Sequence, residues 1–246
     1  MKTLYKYAKN RYSQNGEDGI LAEIFERLNI KKGWFVEFGA WDAKHMSNTY
    51  ALLEDDWHGV DIEGDSDRYK DLQQASTDFP NKLNTIKAFV GTSGKNSLDN
   101  LLKKTPLPKE FDLLSIDTDS YDWWIWQAFK NYQPRVVVIE INSGIPLSQE
   151  YVQPNGITYE ELAASGELSG ASFTSMLKLG QQKSYALVCH TGNMIFVRND
   201  LVSKLGLPQD ELENPESLFI EDWVEKPKTF NLVTSWYKKV FSTGQL

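Results

Sequence analysis

The chain has one cysteine, Cys189, so no internal disulfide can brace it. Long hydrophobic runs are also missing. Even VVVIEI is bounded by Arg135 and Asn142, far short of the ~18 apolar residues of a spanning helix. Basic residues are in deficit, Lys+Arg 26 against Asp+Glu 34, giving a net charge of −8 over 246 residues. That balance gives no overall attraction to phosphate, so no nucleic-acid partner is expected, while peripheral membrane contact through a local patch stays open. Repeats, low-complexity tracts and linkers are absent. The amino terminus, MKTLYKYAKNRYSQNGEDG, lacks the apolar stretch of a secretory signal, and a cytoplasmic location is expected. With 41% hydrophobic and 24% charged residues the composition is that of a folded protein, expected as one domain over 1–246.

What is present is an alternation. NGEDGILAEIFERLN carries Ile20, Leu21, Ile24, Phe25 and Leu28 at helical spacing, predicting a helix over 15–29 capped by Asn15. GWFVEFGA then reads as a buried strand running into a turn. The rhythm continues with helix 45–54, strand 58–62, helix 65–74, strand 84–89, helix 96–103, strand 111–116, helix 121–130 and strand 135–141. Such alternation predicts an α/β fold with a mostly parallel sheet and helices on both faces. An inserted loop of about 142–168 breaks it and is expected to lie over the strand ends. A further helix follows in GASFTSMLKLGQQKS. YALVCH and NMIFVRN predict a terminal β-hairpin turning at Thr191-Gly192. The remaining 200–246 reads as an irregular extension, ending in a helix around 231–241.

In open parallel sheets ligands bind at the carboxyl ends of the strands. Those ends read Glu37-Phe-Gly39-Ala40-Trp41-Asp42, Asp61-Ile-Glu63, Phe89-Val90-Gly91, Asp117-Thr118-Asp119 and Glu140-Ile-Asn142. Four of the five carry acids, which core packing does not demand. Gly39 lets backbone approach a ligand, and Glu63, 26 residues past Glu37, stands where an acid accepts two ribose hydroxyls. Trp41 and Ala43 occupy positions at which a dinucleotide fingerprint needs glycine, which disfavours a pyrophosphate. A phosphate-free nucleoside with an amino-acid tail, its ammonium facing Glu37 or Asp117, fits better: S-adenosylmethionine.

FVEFGAWDAKHMSNTYALL, GVDIEGD, LLSIDTDSYDWWIW, PRVVVIEIN, GASFTSMLKLG and NMIFVRND, in this order, resemble the FkbM-like S-adenosylmethionine-dependent methyltransferases. The likeness runs over about residues 12–200, in particular to a branch that begins SQxGEDGIL. It implies a seven-strand, Rossmann-like class I methyltransferase fold. It also implies O-methylation of a hydroxyl on a sugar, glycan or nucleotide-linked sugar, as in polysaccharide biosynthesis, with a small-molecule or glycan acceptor as partner. By the same resemblance Glu37, Gly39 and Ala40 would lie at the methionine end, Glu63 at the ribose, Val90 beside adenine and Asp117 near the sulfonium. Trp41 and the run Thr118-Asp119-Ser120 depart from the family pattern, which bears on substrate and loop shape.

Methyl transfer to an alcohol needs a base, and the candidates are Asp119, His190 and His45, each histidine reading equally as a structural residue. Asp117 and Asp119, like Glu140 and Asn142, are two apart and face one way on neighbouring strands. They form an expected oxygen cluster for Mg²⁺ or a similar divalent cation; the plainer reading is hydrogen bonding to loop amides or cofactor. Asn48-Thr49 would hydrogen-bond the cofactor carboxylate or cap a helix, and SQNGEDG would close over the cofactor or cap the first helix. Of Trp123, Trp124 and Trp126, at least two rings are expected in the core. Two other functions compete. One is a metal-dependent nucleotide-sugar glycosyltransferase using Asp117 and Asp119; the other is a non-catalytic interaction module in which Trp41 fills the site.

Overall fold

The computed structural model describes residues 2–220 except 119 and 158. In chain order its elements are α1 (Glu17–Leu28), β1 (Trp34–Phe38), α2 (Tyr50–Glu54), β2 (His58–Glu63) and α3 (Ser66–Ser76). There follow β3 (Leu83–Lys87), α4 (Leu98–Leu102), β4 (Leu113–Ile116), α5 (Asp122–Ala128) and β5 (Val136–Glu140). The last are α6 (Tyr159–Ser165), α7 (Phe173–Gln182), β6 (Tyr185–His190), β7 (Asn193–Arg198) and α8 (Gln209–Glu213). The strands form one sheet in the order β3-β2-β1-β4-β5-β7-β6. β1 to β5 run parallel, and β7 enters antiparallel between β5 and β6. This is the expected α/β arrangement with its hairpin at one edge. Strand order reverses between β1 and β4, so a crevice opens beyond their carboxyl ends.

Each sheet face builds its own apolar layer because successive residues point to opposite sides. Val36, Phe38, Ile62, Leu114 and Ile139 meet α4, α5 and α7 on one face, where Ile125 and Trp126 are buried. Phe35, Leu113, Val136 and Ile195 meet α1, α2 and α3 on the other, with Ile20, Leu21 and Ile24 of α1 fully covered. Each such side chain contributes about 1.5–3 kcal/mol on burial. Trp126 is core and Trp123 packs against it, as the crowding of aromatics implied.

Two local expectations need correction. Gly16, at φ 95°, takes the cap position of α1 without a side-chain bond, and the Asn15 N–H instead meets the Glu17 carboxylate at 2.8 Å. The second helix begins at Tyr50, not 45, because side chains capture the amides before it. Asp42 accepts from the N–H groups of Lys44 and His45, and Ser47 from those of Thr49 and Tyr50. The 142–168 segment is not bare loop, since it holds α6. Beyond β7 come α8 and two 3₁₀ turns, Asn199–Leu205 and Pro215–Leu218, while the helix expected at 231–241 lies outside the described residues. Among the described residues no helix is long and apolar enough to cross a membrane.

Candidate functional site

Gly39 turns the chain out of β1 at φ +77°, and a Cβ there would lie 2.2 Å from the Asp117 carbonyl oxygen on β4. Its N–H donates to Ile62 O at 3.1 Å, so the turn is wedged between the tips of β2 and β4. Three non-glycine residues after it, Trp41, Ala43 and Met46, also have positive φ (42°, 64° and 58°). Left-handed backbone costs such residues about 1–2 kcal/mol each, so something must hold this loop in place.

Glu37 is that fastener. Its buried carboxylate accepts from Ser47 Oγ at 2.6 Å, Thr49 Oγ1 at 2.8 Å and the Asn48 N–H at 3.0 Å. Burial pushes its pKa up, and the hydroxyls of Ser47 and Thr49 partly restrain the rise. The Asn48 amide donates to Ser115 Oγ at 3.1 Å, and Thr49 makes no side-chain cap. Both residues therefore brace the loop.

The other side of the loop is tied to β2. Glu63, also buried, accepts from the Trp41 N–H at 3.0 Å and the Asp65 N–H at 2.8 Å. Each carboxylate oxygen accepts more than one donor, so ribose hydroxyls can join these amides. The Trp41 ring leans away, toward α3: the Arg68 guanidinium lies 4.9 Å from its centroid and Asp71 Oδ2 3.4 Å from its Nε1. The exposed His45 meets it edge-on at 5.0 Å.

Beyond β3 the chain exposes an aromatic ring that the sequence reading passed over. Val90 packs against the core, whereas Phe89 is 64% exposed and lies over Gly64, where a Cβ would come within 2.2 Å of the ring. A bare glycine beneath a large, solvent-facing aromatic makes a flat apolar ledge beside Glu63. The only sequence signal was the aromatic directly after the strand.

At the far side of the crevice stand the residues expected to form an oxygen cluster. Among the described residues no three His, Cys, Asp or Glu side chains converge on a metal position. Asp117 and Glu140 each follow the paired Ile116 and Ile139, and Asp119 lies outside the described residues. Asn142 belongs to the insert: its Oδ1 accepts from the Gly144 N–H at 3.1 Å and its Nδ2 donates to Ser169 O at 3.0 Å. Its side-chain amide is thus fixed by backbone groups of the insert. Further staples come from α5 and the turn before it, Trp124 Nε1 to Gln153 O at 2.9 Å and Tyr121 Oη to Ile157 O at 2.7 Å.

His190, expected as a base, is 1% exposed and committed at both nitrogens. Nδ1 accepts from the Ile220 N–H at 3.1 Å, so the neutral ring carries its proton on Nε2, 3.2 Å from Ser143 Oγ. Phe219 stacks on it and Phe173 meets it edge-on. Burial draws its pKa down to about 4. The residue is thus a tether for 219–220, and its titration predicts an acid effect. A histidine with a folded value below its free value of about 6.5 contributes stability above that pH, lost as pH falls toward the folded value. Urea unfolding between neutral pH and about pH 4 should show the native chain losing roughly 3 kcal/mol more than His190→Gln, the difference cancelling other groups. Parallel curves would refute the tether's titration.

The amino-terminal segment is drawn in by Asp18, whose Oδ2 accepts from the N–H groups of Arg11, Tyr12 and Ser13 at 2.7, 2.7 and 2.8 Å. Tyr12 Oη then donates to Glu54 at 2.6 Å and Arg11 pairs with Glu54 and Asp55. Arg11 and Tyr12, just before SQNGEDG, thereby reach the end of α2, and Gln14 Nε2 donates to Met46 Sδ in the loop.

No protein-family model matches the sequence, and no curated protein matches it. Solved structures are similar in shape. One from Galdieria sulphuraria, described as a sarcosine dimethylglycine methyltransferase, is 10% identical over 86% of this chain and 80% of its own, with a TM-score of 0.46. Another from Staphylococcus aureus, described as a caffeoyl-CoA O-methyltransferase, is 14% identical over 75% and 82%, with a TM-score of 0.46. A SAM-dependent methyltransferase from Aquifex aeolicus is 11% identical over 78% and 94%, with a TM-score of 0.43. Identities this low say nothing of chemistry, which rests on the side chains of the site.

Proposed function

We propose that the chain is an S-adenosylmethionine-dependent O-methyltransferase of the FkbM-like kind, acting on a hydroxyl of a sugar, glycan or nucleotide-linked sugar. The observation that carries this reading is Glu63, a buried carboxylate at the tip of β2, beside the reversal of strand order and level with the glycine turn after β1. The cradle fits a nucleoside: side chains are missing at Gly39 and Gly64, where a Cβ would collide with Asp117 O and with Phe89. Trp41, the ground for a non-catalytic module, spends its bulk on α3.

In this reading Glu63 accepts the two ribose hydroxyls, Phe89 and Val90 flank adenine, and Gly39, Ala40 and the loop held by Glu37 and Asn48 receive the methionine end. Asp117 stands nearest the sulfonium. When bound, the cofactor supplies an electrophilic methyl group. The chain's task is to bring an acceptor oxygen into line and accept its proton as the oxygen–carbon bond forms. Asp119, two residues past Asp117, takes that proton, since both nitrogens of His190 are engaged. The insert pinned by Trp124 and Tyr121 walls the acceptor side.

Calorimetric titration tests the cofactor. S-adenosylmethionine and S-adenosylhomocysteine should bind at micromolar Kd, weakened roughly 100-fold or more in Glu63→Ala through loss of two bonds to a charged acceptor, at about 1.5–3 kcal/mol each. Binding of a UDP-sugar, with neither of these ligands bound, would replace the proposal with nucleotide-sugar transfer.

A further inference from the structure

Neither the fold nor this reading uses Asp61. It is fully buried in β2, and neither carboxylate oxygen has a hydrogen-bond partner. In the sequence it stands out as an acid inside an apolar strand. In the sheet it lies in register with Glu37 on β1 and Thr85 on β3, one pleat below Glu63 on the same face.

The groups around it can be taken element by element. β1 presents Glu37. Thr85 of β3 shares its hydroxyl with Tyr69 Oη of α3 at 3.3 Å. Helix α2 contributes Leu52 and Leu53, and α3 adds Leu72. Further along the sheet stands Ser115 of β4, with Asp117 just past that strand's end, and on its own strand Glu63, already holding the Trp41 and Asp65 amides. Two carboxyls on adjacent buried strands cannot both ionise cheaply. Glu37 has three donors to hold its charge, from Ser47, Thr49 and the Asn48 N–H, whereas Asp61 has none. The shared proton therefore belongs on Asp61.

We infer that Asp61 is the proton store of this site: it is protonated in the free protein and releases its proton to solvent when a cationic ligand settles in the crevice over the ends of β1, β2 and β4. Burial and the Glu37 charge both raise its proton affinity. A ligand cation reverses that balance by favouring both carboxylates at once, so binding and deprotonation assist each other. The inference rests on the cofactor reading for the identity of the cation, since S-adenosylmethionine carries a sulfonium that S-adenosylhomocysteine lacks.

Two measurements decide it. In the free protein at about pH 6, infrared difference spectra between the native chain and Asp61→Asn should contain a protonated-carboxyl band. Its absence overturns the store whatever the ligand. Titration with S-adenosylmethionine at the same pH, in buffers of different ionisation enthalpy, should show release approaching one proton per site. S-adenosylhomocysteine should release less and Asp61→Asn close to none. The affinity of the native chain should rise with pH, by at most tenfold per unit. Binding without proton release, or equal release by Asp61→Asn, would overturn the coupling while leaving the cofactor reading intact. Absence of binding with the band present would remove the cofactor reading and the coupling, but not the buried protonated acid.

Discussion

Gly39→Val is expected to lower the melting temperature by roughly 10 °C and to abolish nucleoside binding. Two independent penalties fall on the same position. A β-branched residue at φ +77° pays the left-handed cost of about 1–2 kcal/mol. Its Cβ would also meet the Asp117 carbonyl at 2.2 Å, an overlap with backbone that only a parting of the β1 and β4 tips can relieve. Overpacking of this kind costs a further ~1–3 kcal/mol, and for a domain of this size each kcal/mol moves the midpoint by about 2–4 °C. The same parting displaces the turn that faces the ligand, so binding falls further than stability. Thermal melting together with calorimetry checks both parts. A well-folded Gly39→Val protein with native affinity would remove the turn from the site.

The succession of strands and helices along the chain was legible because each depended on short-range patterning: apolar runs such as VVVIEI for buried strands and helical spacing in ILAEIF. Strand-end acids could be collected for the same reason. Their partners could not, because Glu37 and Ser115 are far apart in sequence and meet only through the parallel register of β1 and β4. Asn142 and His190 are cases of a related kind. Both stand at strand ends, where chemistry is expected, yet each faces backbone groups contributed by distant segments, Ser169 and Ile220. Position along a strand reports the neighbourhood of a site but not which polar group is already satisfied. Trp41 illustrates the converse: its bulk suggested a blocked pocket, while the destination of its ring depended on Arg68 and Asp71 of the next helix.

Glu37 separates two properties that substitution can take apart, shape and charge. Glu37→Ala leaves the Ser47 and Thr49 hydroxyls and the Asn48 N–H without their acceptor in a buried setting. Unsatisfied buried groups cost about 1–3 kcal/mol each, and a net loss of roughly 3–5 kcal/mol is expected after the hydroxyls find lesser partners. Because Trp41, Ala43 and Met46 keep positive φ only while the loop is held, it should open, and urea unfolding should coincide with loss of ligand affinity. Glu37→Gln keeps the volume and one acceptor oxygen for the Asn48 amide, and hydroxyls can turn to accept from its NH₂ group. Its stability at neutral pH should therefore stay close to native. The pH dependence supplies the sharper distinction. A carboxyl whose folded pKa is raised binds more protons folded than unfolded, so its contribution to stability is greatest at low pH and falls as pH rises through the folded value. Glu37→Gln removes that fall, so its stability relative to the native chain should rise as pH climbs from the ordinary carboxyl value of 4.5 to the raised folded one and level off above it. If Glu37→Ala were as stable as Glu37→Gln, the carboxylate would not be what holds the loop.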